Sequence, residues 1–349
     1  MTPSVLRPGA RILVRAPSWL GDLVQAEPAL RALLAHTGEL SVAGPPRLVR
    51  LLAETHPGVR PVASDDARAW RGHDVCVLLT GSFRSAWCAW RAGIAERVGW
   101  ARDGRGWLLT RSARPAREAG RVPIGLGHAG AWPRFLPRPF GTSCVELLGL
   151  LGVSVRDPRP RLVPSAEARR TRDRRLAGLG LDPRGAFVLV NVGGRPGSAK
   201  ALPASAWIQT LRHLRESCGL PLVVVCGPGE EQRATQVCAA GLPGVHACAP
   251  VPDLAELLAL CEAARVLVTA DSGPRHLAVA VDTPVAVVCG PTDPRHTADH
   301  LGATRVVRQP VECGPCHRER CPLEGPERDA CMLGVPPRAL AGAALELLG

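Results

Sequence analysis

Apolar residues run along this chain in two alternating rhythms. Short unbroken runs at 10–16 (Ala-Arg-Ile-Leu-Val-Arg-Ala), 40–43 and 75–79 (Val-Cys-Val-Leu-Leu) have the length of buried strands. After the first run, Pro17, Ser18 and Gly21 mark a turn, and Leu23, Ala26, Leu30, Leu33 and Leu34 then fall at helical spacing. Residues 101–141 are rich in Arg, Gly and Pro with little periodicity and predict loops. A helix over about 142–151 closes this half, and three prolines in 156–164 mark a linker. The second half repeats the rhythm. Strand 186–192 leads to a glycine-rich loop at 193–198 and a helix from about 203. Strand 221–226 leads to Gly227-Pro228-Gly229 and a helix. A helix at 253–264 precedes strand 265–269, the turn Ala270-Asp271-Ser272-Gly273, a further helix and strand 284–288. This alternation predicts two doubly wound α/β domains, residues 1–160 and 161–349, with ligands at the carboxyl ends of the strands beside helix N-termini.

Composition narrows the class. The 349 residues are 46% hydrophobic and 21% charged, enough to bury two cores. No apolar run approaches the ~18 residues a membrane helix needs, and the N-terminus lacks a signal-peptide pattern. A soluble, cytoplasmic protein is therefore expected. The 13 cysteines fit that setting, since nine of them, Cys76 to Cys289, lie in apolar segments where a reduced thiol acts as a small hydrophobe.

Charge is distributed unevenly. Residues 1–165 carry 23 arginines against 12 acids, an excess of +11, whereas residues 166–349 carry +1 of the total +12. The first half is expected to meet something anionic: a phosphorylated substrate, an acidic membrane or nucleic acid. Of the 43 basic residues one is lysine, Lys200. In a chain that uses arginine everywhere else, that position either calls for a compact ammonium rather than a planar fork or keeps one lysine by chance.

Several short constellations could carry chemistry, each with a plainer reading beside it. Asp22 stands where the first strand turns into the first helix, suited to a general base on a hydroxyl or to a helix-capping role. Lys200 ends the loop Gly193-Gly194-Arg195-Pro196-Gly197-Ser198-Ala199, whose backbone could approach phosphate. Asp271-Ser272-Gly273-Pro274-Arg275-His276 follows a strand and opens a helix, so it is either an anion site or an ordinary capped turn. Glu230 and Glu231 stand where such domains place an acid on a ribose hydroxyl, or are first-turn acids of a helix. Cys313, Cys316, Cys321 and Cys331 could hold a structural zinc, or are reduced thiols in a proline-rich loop. Gly125-Leu-Gly-His-Ala-Gly130 spells a dinucleotide fingerprint, but Trp132-Pro133 and further prolines follow it, so no helix opens there.

Taken in order, Ala16-Pro-Ser-Trp-Leu-Gly-Asp22, Gly81-Ser-Phe-Arg-Ser85, the loop ending in Lys200, Gly227-Pro-Gly-Glu230, Asp271–His276 and Gly290-Pro-Thr-Asp-Pro294 resemble the ADP-heptose:lipopolysaccharide heptosyltransferases of glycosyltransferase family 9. The C-terminal Cys-Gly-Pro-Cys…Cys-Pro…Cys-Met pattern is similar to that of the heptosyltransferase II type. The resemblance implies a GT-B fold, two Rossmann-like domains facing across a cleft, the acceptor on the first and the nucleotide-sugar on the second. It implies inverting heptose transfer from ADP-heptose to the anionic lipopolysaccharide inner core, by a monomer at the cytoplasmic face of the inner membrane. Asp22 would be the base and Lys200 would neutralise the diphosphate. Gly193, Gly194, Ser198, Glu230, Glu231, Asp271, Ser272, Gly273 and His276 would line the donor site. Ser18, Trp19, Gly21, Ser82 and Arg84 would line the acceptor site. No cofactor is called for, zinc at the four cysteines being the one metal candidate. This chain departs from the pattern at Ala201-Leu202-Pro203, where the family has Arg-Trp-Pro, and at Arg275, an added cation expected near the diphosphate. A same-family enzyme with another nucleotide-sugar is the alternative. A basic nucleic-acid-binding protein with a four-cysteine zinc module is the distant one, disfavoured because the arginine excess lies at the opposite end from the cysteines.

Overall fold

A computed structural model describes residues 6–7, 9–115, 117–118, 134–195, 197–298 and 301–349. These residues form two compact units, one up to Glu118 and from Arg134 to Leu162, the other from Val163 to Gly349.

In the first unit, strands β1 (Ile12–Arg15), β2 (Leu40–Ala43), β3 (Val59–Val62), β4 (Val75–Leu78), β5 (Glu96–Trp100) and β6 (Arg111–Ala113) form one parallel sheet in the order β3-β2-β1-β4-β5-β6. Four helices accompany it: α1 (Leu20–Thr37), α2 (Pro46–Thr55), α3 (Phe83–Arg91) and α4 (Phe140–Gly149). β1 and β4 are buried along their whole length, which is why they read as unbroken apolar runs. Region 101–141 is not all loop as expected. It contributes β6, a 3-10 turn at Gly106–Leu108 with Leu108 wholly buried, and the antiparallel pair β7 (Arg117–Glu118) and β8 (Arg134–Phe135). The fingerprint-like Gly125–Gly130 lies outside the described residues. The proline-rich stretch after α4 is tied down by an acid that periodicity concealed. Glu27, wholly buried on α1, pairs with Arg31 at 2.9 Å and accepts the Arg161 backbone N–H at 2.8 Å. Arg31 also donates to the carbonyls of Asp157 and Arg159.

The second unit repeats the plan. Strands β9 (Val188–Asn191), β10 (Leu222–Val225), β11 (Val245–Ala247), β12 (Val266–Ala270), β13 (Val285–Val288) and β14 (Thr304–Val307) pair in parallel in the order β11-β10-β9-β12-β13-β14. Helices α5 (Ala166–Gly178), α6 (Ala204–Cys218), α7 (Glu231–Cys238), α8 (Leu254–Ala263), α9 (Gly273–Ala280), the short α10 (Ala330–Leu333) and α11 (Pro337–Leu348) surround it. The core is valine-rich: Val188, Val190, Val224, Val266, Val268 and Val288 meet Trp207, Leu211 and Leu214 of α6 and Leu340 and Ala344 of α11. β-branched side chains suit a pleated surface covered on both faces.

Both sheets therefore follow the 3-2-1-4-5-6 strand order of the Rossmann fold. In each, the strand order reverses between the first and fourth strands, β1/β4 and β9/β12, and loops leaving those carboxyl ends diverge to leave room for a ligand. Among the described residues, no helix is long and apolar enough to cross a membrane.

Candidate functional site

The residues singled out in the first half gather at the reversal between β1 and β4. Ser18 and Trp19 are exposed on the loop after β1, and Gly21 and Asp22 are half-buried in the first turn of α1. The helix starts at Leu20, earlier than the apolar spacing predicts. Asp22 is thus its third residue, and Trp19 holds the N-cap position with no side-chain cap. Asp22 is not the N-cap. It is the acid of the first turn, where the partial positive charge of the helix end favours a carboxylate. Ser82 and Arg84 lie after β4. Ser82 caps α3, its hydroxyl accepting the Ser85 N–H at 3.2 Å, and Arg84 is exposed. Behind them Arg105 is wholly buried and donates to the carbonyls of Ser82 and Trp100, both at 3.0 Å. Its guanidinium is pulled down to about 10 by burial, with the Arg102 charge adding to the shift.

In the second unit the reversal between β9 and β12 is denser. Lys200 reaches Asp271 across it, Nζ to Oδ2 3.7 Å. Asp271 is 9% exposed and fully engaged: Arg275 Nη1 donates to Oδ1 at 3.0 Å and the Thr292 hydroxyl to Oδ2 at 2.6 Å. Burial pushes its carboxyl up, but Lys200, Arg275 and the Thr292 hydrogen bond outweigh that and hold it below the ordinary value. The carboxylate faces the lysine ammonium at the sheet's edge, and Lys200 itself stays 42% exposed.

Arg275 is placed differently from the sequence expectation. It is 2% exposed and also donates to the Thr297 hydroxyl at 2.8 Å and carbonyl at 3.2 Å. It is a buried strut under Asp271, which stands four residues earlier, just ahead of the α9 N-cap, and not an additional cation presented to a ligand. Arg275→Met is expected to destabilise the protein by about 3 kcal/mol, because it strands polar groups that water cannot reach. Denaturant midpoints at constant m-value measure this, and an unchanged midpoint would refute the strut.

Three more groups complete the reversal. Asn191, at the end of β9 and 3% exposed, donates to the hydroxyls of Thr269 at 2.9 Å and Ser272 at 3.3 Å. Sequence reasoning passed over it as part of a strand, although a polar residue ending an otherwise apolar run was the available signal. Ser272 occupies the N-cap position of α9 without capping it, since its hydroxyl turns back to the Ala270 carbonyl at 3.1 Å. Gly273 and His276 follow on α9, and burial lowers the His276 ring to about 4, with the Arg275 charge adding and Asp271 opposing. It is a neutral imidazole at physiological pH.

Of the two acids after β10, Glu230 is the one drawn inward. Its Oε2 accepts the Gly227 N–H at 2.8 Å and lies 2.3 Å from where a Cβ on Gly193 would be, so any side chain at 193 would displace that carboxylate. Glu231 is exposed in the first turn of α7, its carboxyl lowered by the backbone N–H groups of Glu231 and Gly229. Arg233 on α7 donates to the Gly194 carbonyl at 2.6 Å and pins the loop. Ser198 accepts the Lys200 N–H at 3.3 Å.

The cysteine segment packs behind that loop. The Ala199 N–H donates to the Glu319 carbonyl at 2.8 Å, and Arg195 pairs with the Glu319 carboxylate at 2.6 Å. Cys313, Cys316, Cys321 and Cys331 line one pocket with Ala199. Among the described residues, however, no group of three or more His, Cys, Asp or Glu is arranged to hold a metal. The buried thiols elsewhere are held protonated by desolvation, Cys261 and Cys289 at about 12 and Cys226 and Cys248 at about 11.

Two Rossmann-like units, each with its candidate residues at the strand-order reversal, define a GT-B protein, and solved structures agree. Escherichia coli ADP-heptose LPS heptosyltransferase II matches over 97% of this chain and 98% of its own, with TM-score 0.70 at 20% identity. The chain belongs to glycosyltransferase family 9 (heptosyltransferase), whose family model matches residues 149–326. Curated relatives include lipopolysaccharide heptosyltransferase 2 of Escherichia coli (strain K12), 25% identical over 321 residues, covering 85% of this chain and 88% of the relative. Lipopolysaccharide heptosyltransferase 1 of Pseudomonas aeruginosa is 28% identical over 333 residues, covering 91% and 89%.

Proposed function

We propose that this family 9 glycosyltransferase transfers L-glycero-D-manno-heptose from ADP-heptose to the inner core of lipopolysaccharide, as an enzyme of the heptosyltransferase II type. The observation that carries the proposal is the ion pair of the sole lysine with buried Asp271 at the β9/β12 reversal. A nucleotide diphosphate leaving group needs a fixed positive charge, and Asp271 supplies the fixing. Lys200 is then the catalytic residue at the departing diphosphate, and Asp271 with Arg275 positions it. Glu230, rather than Glu231, is the candidate for the ribose, because its carboxylate is held at the carboxyl ends of β9 and β10. Gly193, Gly194, Ser198, Ser272, Gly273 and neutral His276 form the rest of the donor surface.

In the first unit Asp22 acts as base. It takes the proton of the acceptor hydroxyl, the oxygen forms its bond to the anomeric carbon from the face opposite the diphosphate, and the bond to ADP breaks with inversion. Ser18, Trp19, Gly21, Ser82 and Arg84 would orient the acceptor, and the +11 excess of residues 1–165 matches an anionic core oligosaccharide. Work at the cytoplasmic face of the inner membrane follows from that substrate. The reading requires no cofactor.

The test is a mass-spectrometric transfer assay with ADP-heptose and a series of truncated lipopolysaccharide acceptors. Gain of one heptose on an acceptor already carrying the first heptose supports the second-transferase type, and gain only on a heptose-free acceptor reassigns it to the first. No gain on any acceptor, with the protein folded, contradicts ADP-heptose as donor and favours another nucleotide-sugar, to which the Ala201-Leu202-Pro203 departure already draws notice.

A further inference from the structure

Four aromatic rings form one contiguous cluster on the first unit. Trp87 stacks near Phe83 with centroids 6.2 Å apart, lies 4.9 Å from Trp90 and 6.4 Å from Trp107, and Phe83 lies 6.3 Å from Trp107. Only Trp87 is rooted in the core, against the cluster that contains Ala86, Cys88, Ala89 and Leu108. Phe83, Trp90 and Trp107 are 42%, 47% and 64% exposed. In a chain with eight tryptophans, four phenylalanines and no tyrosine, this concentration on one surface calls for an explanation. Exposed apolar patches of this kind mark interaction sites.

The patch is built, not incidental. Phe83, Trp87 and Trp90 share a face of α3 at spacings of four and three. Buried Arg105 ties the 3-10 turn that carries Trp107 to the start of α3 through the Ser82 carbonyl. The same helix bears Arg84 and Arg91, both exposed, and no acid. Of the acids nearby, Asp103 pairs with Arg102 at 3.2 Å and Asp65 with Arg15 at 3.0 Å, while Asp66, whose charge also reaches Cys88 of α3, is exposed.

We propose that this face seats the protein on an anionic lipid bilayer, with the tryptophan rings at headgroup depth and the arginines on the lipid phosphates. Tryptophan favours the membrane–water boundary, where an apolar ring and a polar N–H are both satisfied. The charge excess selects the occupant: residues 1–165 at +11 attract an anionic surface and repel a second copy of themselves. α3 starts at the β1/β4 reversal, so seating it there brings the bilayer alongside Ser82 and Arg84. The attachment is independent of the transfer reaction, since it needs no substrate.

The experiment uses the full chain with vesicles of phosphatidylcholine alone or doped with phosphatidylglycerol, some with brominated acyl chains. Wild type is expected to bind the anionic vesicles and have its tryptophan fluorescence quenched by bromine. Trp90→Ser/Trp107→Ser is expected to bind about tenfold more weakly, with transfer to a water-soluble acceptor unchanged. Binding by the double variant equal to wild type would overturn the proposal. So would binding without quenching, which would mean charge attraction alone. Sedimentation showing a wild-type dimer that the variant loses would overturn it in favour of a second copy. Quenching measured on Trp19→Phe protein, which removes the other strongly exposed tryptophan among the described residues, decides the matter even if the double variant folds poorly.

Discussion

Asp22→Asn is expected to lower kcat by about 10²–10⁴-fold while leaving the affinity for ADP unchanged. The substitution keeps the size and shape of the side chain at the third position of α1 and removes only its ability to accept a proton. Asparagine is tolerated in a helix's first turn, so the melting temperature is expected to stay within a few degrees. The loss falls on the chemical step because the acceptor hydroxyl, far too weak an acid to attack unaided, would have no base. Steady-state kinetics with ADP titration by calorimetry measures both arms. A variant that retains wild-type kcat would remove Asp22 from the mechanism. A loss of ADP affinity with kcat retained would move it to the donor.

Lys200→Ala is the second large effect. A kcat/KM loss of about 10²–10³-fold is expected, the usual result of removing one charge-stabilising group from a leaving-group site. Stability should hardly change. The Lys200–Asp271 contact is 3.7 Å long and the lysine is 42% exposed, so the pair contributes little to folding. Asp271 keeps Arg275 and Thr292 when the lysine is gone. Lys200→Arg is expected to recover only part of the loss, because a planar fork held by Asp271 cannot present the same compact charge to a diphosphate. Equal activity of the arginine variant would show that charge alone is sufficient there.

Much of this molecule is legible in the sequence. The buried strands β1, β4, β9, β10, β12 and β13 announce themselves because a strand covered on both faces has no reason to alternate. The edge strand β3 does not. Its Arg60 and Pro61 are exposed, so Val-Arg-Pro-Val reads as turn. α5 buries only Ala168 and Leu176. It is held instead by Arg169 and Arg175 reaching Glu262 and Glu256 on α8, contacts that no periodicity announces. α3 escaped notice for the opposite reason, its aromatic face being turned outward.

The candidate site divides in the same way. Strand-to-helix turns located Asp22, Lys200, Glu230 and the Asp271 turn, because chain order alone puts them at carboxyl ends of strands. Direction was hidden. Sequence could not tell that Arg275 turns inward to Asp271, or that Glu230 and not Glu231 folds over Gly193. Those outcomes depend on burial, which decides whether an arginine is a strut or a ligand.

In this reading the donor occupies the β9/β12 reversal around Lys200. Hydrogen–deuterium exchange of the full chain with and without ADP-heptose tests it directly. Slowed exchange is expected in residues 192–201, 227–233 and 271–276, and its loss in Lys200→Ala at the same ligand concentration. Protection confined to other segments, or unchanged in that variant, would contradict it.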